Sequence, residues 1–105
     1  MYIPIEYQRS IVDWANNTFG DNRNIQGVLD RTNVEMQELT NKIIAIAPVK
    51  DVVSEMADVV IMLYTLADMF ECELIQEVDI KMVINRNREW DVDKETGLGQ
   101  HKETS

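Results

Sequence analysis

The sequence predicts an all-α protein, an antiparallel four-helix bundle. Apolar residues recur about every 3.6 positions in four successive segments, which is the spacing of one face of a helix. Short polar or proline-containing stretches join the segments and favour antiparallel neighbours. The 105 residues, 45% of them hydrophobic, can build one core. A bundle this small often completes the burial of its apolar surface by forming oligomers.

The first two helices are predicted over residues 5–19 and 25–47. Gly20 and the polar residues after it end the first helix, and Asn24 is a suitable N-cap for the second. Pro48 cannot continue a helix and therefore ends the second one. The predicted apolar faces consist of Ile5, Ile11, Val12, Trp14 and Ala15 in the first helix, and of Val28, Leu29, Met36, Leu39, Ile43 and Ile46 in the second.

Two further helices are predicted over residues 52–72 and 74–90. The third is apolar on almost every side, which indicates burial by the other helices or by a second subunit. Residues 91–105 are polar and contain two glycines, so they are predicted to form a mobile tail behind a helical domain of residues 1–90. The side chains that the fourth helix is predicted to turn inward are Ile75, Val78, Met82 and Val83.

The charge of the chain restricts its partners. Ten basic and nineteen acidic residues give a net charge of -9, which argues against binding a nucleic acid polymer through its phosphates. An acidic site would also repel an anionic ligand unless divalent cations intervened. The alternative is that the charge only keeps a small protein soluble.

The compartment predicted for the chain is the cytoplasm. Its single cysteine, Cys72, excludes an internal disulfide and a cysteine-based zinc site and fits a reducing environment. The first residues lack the charged and apolar regions of a signal peptide. The most apolar stretch, residues 52–70, contains Glu55, Asp58 and Asp68, so no membrane span is expected.

Two pairs of carboxylates carry the strongest functional signal. Glu35 and Glu38 lie three residues apart on the second helix and therefore share one face. Glu55 and Asp58 have the same spacing on the third helix. The sixteen residues between the pairs, 39–54, allow one helix to end and the next to return beside it. The two pairs are therefore expected to face each other.

Four facing carboxylates would repel strongly and raise one another's pKa unless cations neutralised them. Oxygen ligands of this kind suit Mg²⁺, and Mn²⁺ is expected to substitute for it. Two such ions can activate water and stabilise charge on a transferring phosphoryl group. A single E-x-x-E sequence on a helix is usually a surface feature. Glu55 and Asp58 are the stronger pair, because they interrupt an apolar helix and few cations apart from Lys50 lie near them in the sequence.

A polar stripe is predicted on the fourth helix, where Lys81, Asn85 and Arg88 have the spacing i, i+4, i+7. Arg88 offers a planar fork to phosphate oxygens, and Lys81 offers a point charge. A solvated face that pairs with Glu77 or Glu89 fits the same spacing equally well.

The order of these motifs resembles that of the all-α NTP pyrophosphohydrolases, the MazG-like superfamily. The shared pattern is Glu35-x-x-Glu38, a gap, and Glu55-x-x-Asp58. A later part is similar to a branch that includes phage and bacterial dATP/dGTP pyrophosphohydrolases. The resemblance extends over residues 28–101, and the ordered set is more specific than any single motif. The later part reads Lys81-x-x-x-Asn85-x-x-Arg88-x-Trp90, followed by Gly97-Leu98-Gly99-Gln100-His101.

The resemblance implies hydrolysis of a (deoxy)nucleoside triphosphate to the monophosphate and pyrophosphate, with purine deoxynucleotides such as dGTP or dATP as expected substrates. In the family a metal-activated water attacks the α-phosphorus, and the chains assemble as dimers or tetramers. By the same resemblance, Lys81, Asn85 and Arg88 would hold phosphates. The implied magnesium ligands and catalytic groups are Glu35, Glu38, Glu55 and Asp58.

The sequence departs from the family at one position. A lysine often precedes the second acidic pair in the family, whereas Ser54 precedes Glu55 here. Lys50, one turn earlier, is the candidate to replace that lysine.

Base recognition is predicted at the end of the first helix, by Trp14 and Asn17, with Phe19 beside them. These side chains could stack on a base or hydrogen-bond to it. A tryptophan at such a position is more often part of the core. His101 is a further candidate for a contact with phosphate or base, although a single histidine in a tail is usually solvated.

Two other protein classes fit parts of the sequence. A di-iron carboxylate protein also uses glutamates from four helices, but it requires E-x-x-H motifs, and the only histidine, His101, lies in the tail. A non-catalytic acidic helical module predicts carboxylates on exposed faces, whereas Glu55 and Asp58 lie in an apolar segment. A P-loop NTPase is excluded, because the chain has no Walker A sequence.

Overall fold

A computed structural model of the protein describes residues 1–102. It confirms the predicted all-α class, with a small hairpin that was not predicted. Two compact units are present, Met1–Leu74 and a second unit that begins at Ile75. Among the described residues, no helix is both long and apolar enough to cross a membrane. The elements are the helices α1 (Gln8–Phe19), α2 (Ile25–Ile44), α3 (Val49–Met69) and α4 (Leu74–Arg86), and the strands β1 (Trp90–Val92) and β2 (Gly99–His101).

The turn between α2 and α3 determines where both helices end. The backbone of Ile46 has a positive φ of 53°, which a right-handed helix cannot contain, so α2 ends at Ile44 rather than at residue 47. Pro48 has a φ of -53°, which suits the start of a helix, and α3 begins directly after it at Val49. The connection, residues 45–48, has the four residues predicted for it but lies three residues earlier in the chain, and Pro48 precedes α3 instead of ending α2.

The second helix begins where its capping residue predicts. The Asn24 side chain accepts a hydrogen bond from the backbone N–H of Gly27 at 2.7 Å, which satisfies one of the free donors of the first turn. The first helix ends at Phe19, as predicted, and Gly20 follows with a φ of 88° that favours glycine.

The pairing of α2 with α3 is antiparallel. Lys42, near the end of α2, forms an ion pair with Glu55 near the start of α3. Glu35 lies earlier in α2 and approaches Asp58, which lies later in α3. Later residues of α2 therefore lie beside earlier residues of α3, which confirms the predicted antiparallel arrangement.

The first helix packs against α3, and hydrogen bonds and an ion pair hold its first residues in place. The buried Gln8 side chain donates to the Cys72 carbonyl at 2.6 Å and accepts from the Leu74 backbone N–H at 2.8 Å. The next residue, Arg9, forms an ion pair with Asp68 of α3. These bonds tie the beginning of α1 to the end of α3.

The buried apolar core of the described chain is small and consists of Val12, Ala15, Val28 and Leu39. The prediction that the other apolar positions of α1 and α2 face inward is wrong for several of them. A helix that touches one neighbour buries only the side chains that point toward it, and the rest of the stripe stays in solvent. Exposed in this way are Trp14, Leu29, Met36 and Ile43, while Ile5 and Ile46 are exposed because they lie outside the helices.

The third helix is covered on the faces that α1 and α2 reach. Its remaining apolar face is exposed in the single chain, so burial on every side by the other helices is wrong. Burial by a second subunit stays a prediction. The exposed side chains are Val53, Met56, Val60 and Leu63.

The second unit contains α4 and the hairpin. No residue of α4 is buried, so the predicted inward orientation of Ile75, Val78, Met82 and Val83 is wrong. In the part of this unit that the structure describes, up to residue 102, two three-residue strands follow the helix. The strands pair antiparallel over part of the predicted mobile tail, residues 91–105, the last three of which lie outside the described residues.

Candidate metal centre

Three of the four predicted carboxylates meet between α2 and α3. One oxygen each of Glu35, Glu55 and Asp58 lies within 4.8 Å of the others. Glu38 lies one turn further along α2, is half-buried and stays outside this group. We call Glu35, Glu55 and Asp58 the acidic trio.

Two oxygens of the trio are buried without a partner. Glu35 is 7% exposed and Glu55 is 9% exposed, and the Oε2 atom of each forms no hydrogen bond with any part of residues 1–102. A buried carboxylate oxygen without a partner is costly unless a cation or a donor completes it. The trio therefore fits a divalent metal ion, for which close carboxylate oxygens are suitable ligands.

The other oxygens of the two glutamates are held by cations. Arg31 donates through Nη2 to Glu35 Oε1 at 2.6 Å, and Lys42 lies with its Nζ 3.0 Å from Glu55 Oε1. The hydrogen bond from Lys42 to Glu55 raises the pKa of this lysine, which keeps it charged. Each buried glutamate thus has one paired oxygen and one free oxygen.

Burial and repulsion by neighbouring carboxylates both raise the pKa of Asp58 and of Glu35. Desolvation raises the pKa of Asp58, and the charges of Glu35 and Glu55 raise it further. Desolvation also raises the pKa of Glu35, where the nearby Glu38 adds to the effect and Arg31 opposes it. A divalent ion would reverse this tendency, because it favours the ionised carboxylates.

The metal-free protein is expected to become more stable as the pH falls from neutral through the raised pKa values of Asp58 and Glu35. A carboxyl group whose pKa is raised by folding stabilises the folded state fully below its unfolded pKa, roughly 4, and loses that contribution as the pH rises through its folded pKa. Thermal unfolding in the presence of a chelator measures the effect. Asp58→Asn lacks one of the two carboxyl groups with a raised pKa, so its stability should increase less as the pH falls. An equal increase in the variant and the wild type would show that the effect does not come from Asp58.

A cavity of about 690 Å³ adjoins the trio within the first unit. Glu35 and Asp58 lie in its wall, and Trp14 and Phe19 lie there too. The two aromatic rings meet edge to face with centroids 5.5 Å apart. Further lining residues are Asn22, Arg23, Asn24, Gly27, Val28, Arg31, Ile61 and Met62.

The predicted base-binding residues fall in different places. Trp14 is 57% exposed, so the alternative that it belongs to the core is wrong. It lies in the cavity wall, whereas Asn17 is exposed and is not among the lining residues. Neither role in base binding is tested by these positions, and both stay predictions.

The predicted phosphate-binding residues belong to the second unit. Because α4 ends at Arg86, Arg88 lies beyond the helix, and the single helical stripe predicted for Lys81, Asn85 and Arg88 is wrong at its last member. Arg88 instead lies with Nη1 2.8 Å from the Nδ1 atom of His101, which strand β2 brings back beside it. Phosphate binding by the three residues stays a prediction.

A similar protein of defined chemistry is found among the solved structures. It is the cyanophage S-2L MazG-like pyrophosphohydrolase, solved bound to dGDP and three catalytic Mn²⁺ ions per active site. The match has a TM-score of 0.69 and 27% sequence identity, and it covers 91% of this chain and 93% of that chain. The chain has the MazG-like all-α fold. No family model matches it, and no curated protein matches it.

The sequence reasoning missed two residues of the site, Arg31 and Lys42. Both could have been found from spacing, because Arg31 lies four residues before Glu35 and Lys42 lies four residues after Glu38. Lys50, the predicted substitute for the lysine of the family, forms no ion pair within the described residues. The lysine at the second acidic pair comes from α2 instead.

Proposed function

We propose that this protein is a metal-dependent nucleoside triphosphate pyrophosphohydrolase. Water adds to the α-phosphorus of the substrate, the bond to the oxygen that bridges to the β-phosphorus breaks, and nucleoside monophosphate and pyrophosphate leave. The observation that carries this proposal is the pair of buried, unpartnered glutamate oxygens beside a cavity large enough for a small ligand. The MazG-like pyrophosphohydrolase of the same fold supports it.

The proposed metal ligands are the acidic trio and Glu38, and the proposed ion is Mg²⁺, with Mn²⁺ able to replace it. Such an ion, when bound, activates water and stabilises negative charge on the phosphates. The chain's own carboxylates fix where an ion can bind, and Glu38 is close enough to Glu35 to raise its pKa. The buried position of Glu35 and Glu55 disfavours the alternative of an acidic interaction surface, which needs exposed carboxylates.

The proposed substrates are purine deoxynucleoside triphosphates such as dGTP or dATP. Trp14 and Phe19 offer aromatic surface on which a base can stack, and Glu35 and Asp58 of the trio lie in the same cavity wall, where phosphates would meet the metal. Arg23, held by a 3.0 Å hydrogen bond to Asn16, presents guanidinium donors of the kind that suit purine acceptors. Asn17 is a further base contact in this proposal, and Lys81, Asn85 and Arg88 hold phosphates.

We further infer that the protein is a homodimer or homotetramer. The apolar face of α3 is exposed in the single chain and continues over several helical turns. Contiguous apolar surface of this kind usually marks an interface.

A panel of ribo- and deoxynucleoside triphosphates with Mg²⁺ tests the function. We expect monophosphate and pyrophosphate in equal amounts, fastest with a purine deoxynucleotide, and no product when a chelator is present. Release of orthophosphate with a diphosphate would contradict the reaction. Absence of turnover with every nucleotide would favour the acidic interaction module.

A further inference from the structure

Two cations bracket the acidic residues on one face of α2. Arg31, Glu35, Glu38 and Lys42 have the spacing i, i+4, i+7 and i+11, which places all four on the side that faces α3. Arg31 lies one turn before the two glutamates, and Lys42 lies one turn after them. The acidic pair is therefore enclosed along the helix by positive charge.

Each cation holds one oxygen of a different buried glutamate. The side chains of Arg31 and Lys42 are 58% and 41% exposed, whereas those of Glu35 and Glu55 are 9% and 12% exposed. The cations thus approach from the solvent side and take the Oε1 atoms. A ligand carboxylate with one oxygen anchored is restricted in orientation, and its second oxygen is the one left for a metal.

When no metal is bound, Arg31 and Lys42 neutralise part of the negative charge of the four carboxylates. Four ionised carboxylates carry four negative charges, and Arg31 and Lys42 offset two of them. Lys42 is the more important of the two, because its ion pair joins α2 to α3, whereas the pair formed by Arg31 lies within α2. Without Lys42, Glu55 would be a buried charge with no partner, which destabilises a fold strongly.

We propose that Arg31 and Lys42 are positioning residues that act as resident counter-ions of the metal centre. They hold Glu35 and Glu55 in place while no metal is bound, and a divalent ion takes over most of the charge compensation when it binds. The inference rests on the proposed metal centre. It also assigns to Lys42, and not to Lys50, the position of the cation at the second acidic pair.

Thermal unfolding with and without Mn²⁺ tests this role. Lys42→Met is expected to lower the unfolding temperature of the metal-free protein by roughly 5–15 °C. Saturating Mn²⁺ should remove most of this difference, so that the variant gains more from the ion than the wild type does. If the variant is unfolded without metal, Mn²⁺ should restore its helical circular dichroism signal. Lys42→Arg keeps the charge and should behave as the wild type.

Lys50→Met is the matched control, because it removes the same charge from an exposed position that has no ion pair to the described part of the chain. It should shift the unfolding temperature little in either condition. An equal loss in Lys42→Met with and without Mn²⁺ would overturn the proposal and leave Lys42 a structural residue only. Failure of Mn²⁺ to stabilise even the wild type would instead overturn the proposed metal centre.

Discussion

Replacing Asp58 by asparagine is expected to reduce kcat by about 10³-fold or more while the fold survives. The change keeps the shape of the side chain but removes a charge that an ion in the trio would require. Steady-state pyrophosphate release at saturating Mg²⁺ and nucleotide measures the loss. Circular dichroism should show the helical content of the wild type.

The same variant should be as stable as the wild type in the absence of metal, or more stable. Burial and the charges of Glu35 and Glu55 disfavour the ionised Asp58 carboxylate, so a neutral amide relieves an unfavourable interaction. Loss of activity together with gain of stability is the pattern of a functional residue. Loss of both would indicate that Asp58 only supports the fold.

Glu38→Gln tests whether the fourth carboxylate binds metal together with the acidic trio. If Glu38 is a metal ligand, its replacement should reduce kcat as strongly as Asp58→Asn does. Asp30→Asn, at an exposed position of α2, is the matched control for a lost carboxylate and should keep full activity. Full activity of Asp58→Asn would contradict the metal assignment itself.

The part of the site that lies on α2 and α3 could be predicted because one short turn determines it. Residues 45–48 connect the two helices in one tight turn, so the sequence spacing of the carboxylates becomes a spatial register. Arg31 lies four residues before Glu35, with which it pairs, and Lys42 lies on the same face of α2, so both could have been placed at the site from their spacing, although the partner of Lys42 is Glu55 on α3. Which carboxylate oxygens of Glu35 and Glu55 remain unpaired follows only from the positions of the side chains in the structure.

Burial was harder to predict than helix position. The periodicity of α4 identifies a helix, but Val78 and Met82 are buried only if something covers them, and a single sequence does not say what does. The hairpin was missed for a different reason. Strands of three residues are too short to show an alternating pattern, although the Asp93 side chain, which accepts from the backbone N–H groups of Glu95 and Thr96, marks a turn.

Replacing Trp14 by alanine is expected to raise KM for the preferred nucleotide roughly 5- to 150-fold, with a smaller effect on kcat. Stacking of one base on an aromatic ring contributes about 1–3 kcal/mol to binding, and a change of 1.4 kcal/mol is tenfold in affinity. Trp14 is largely exposed, so its loss should not disturb the core. Steady-state kinetics across the nucleotide panel measure the change, and thermal unfolding checks the fold.

Two variants distinguish stacking from a general loss of apolar surface. Trp14→Phe keeps a ring in the cavity wall and should recover most of the lost affinity. Phe70→Ala removes an exposed aromatic side chain that does not line the cavity, and it should leave KM unchanged. Since stacking acts on the base while the acidic trio acts on the phosphates, Trp14→Ala should change KM to a different extent for different bases, whereas Asp58→Asn should reduce kcat for all of them. If Trp14→Ala changed KM by the same factor for every nucleotide of the panel, the base would not bind against Trp14.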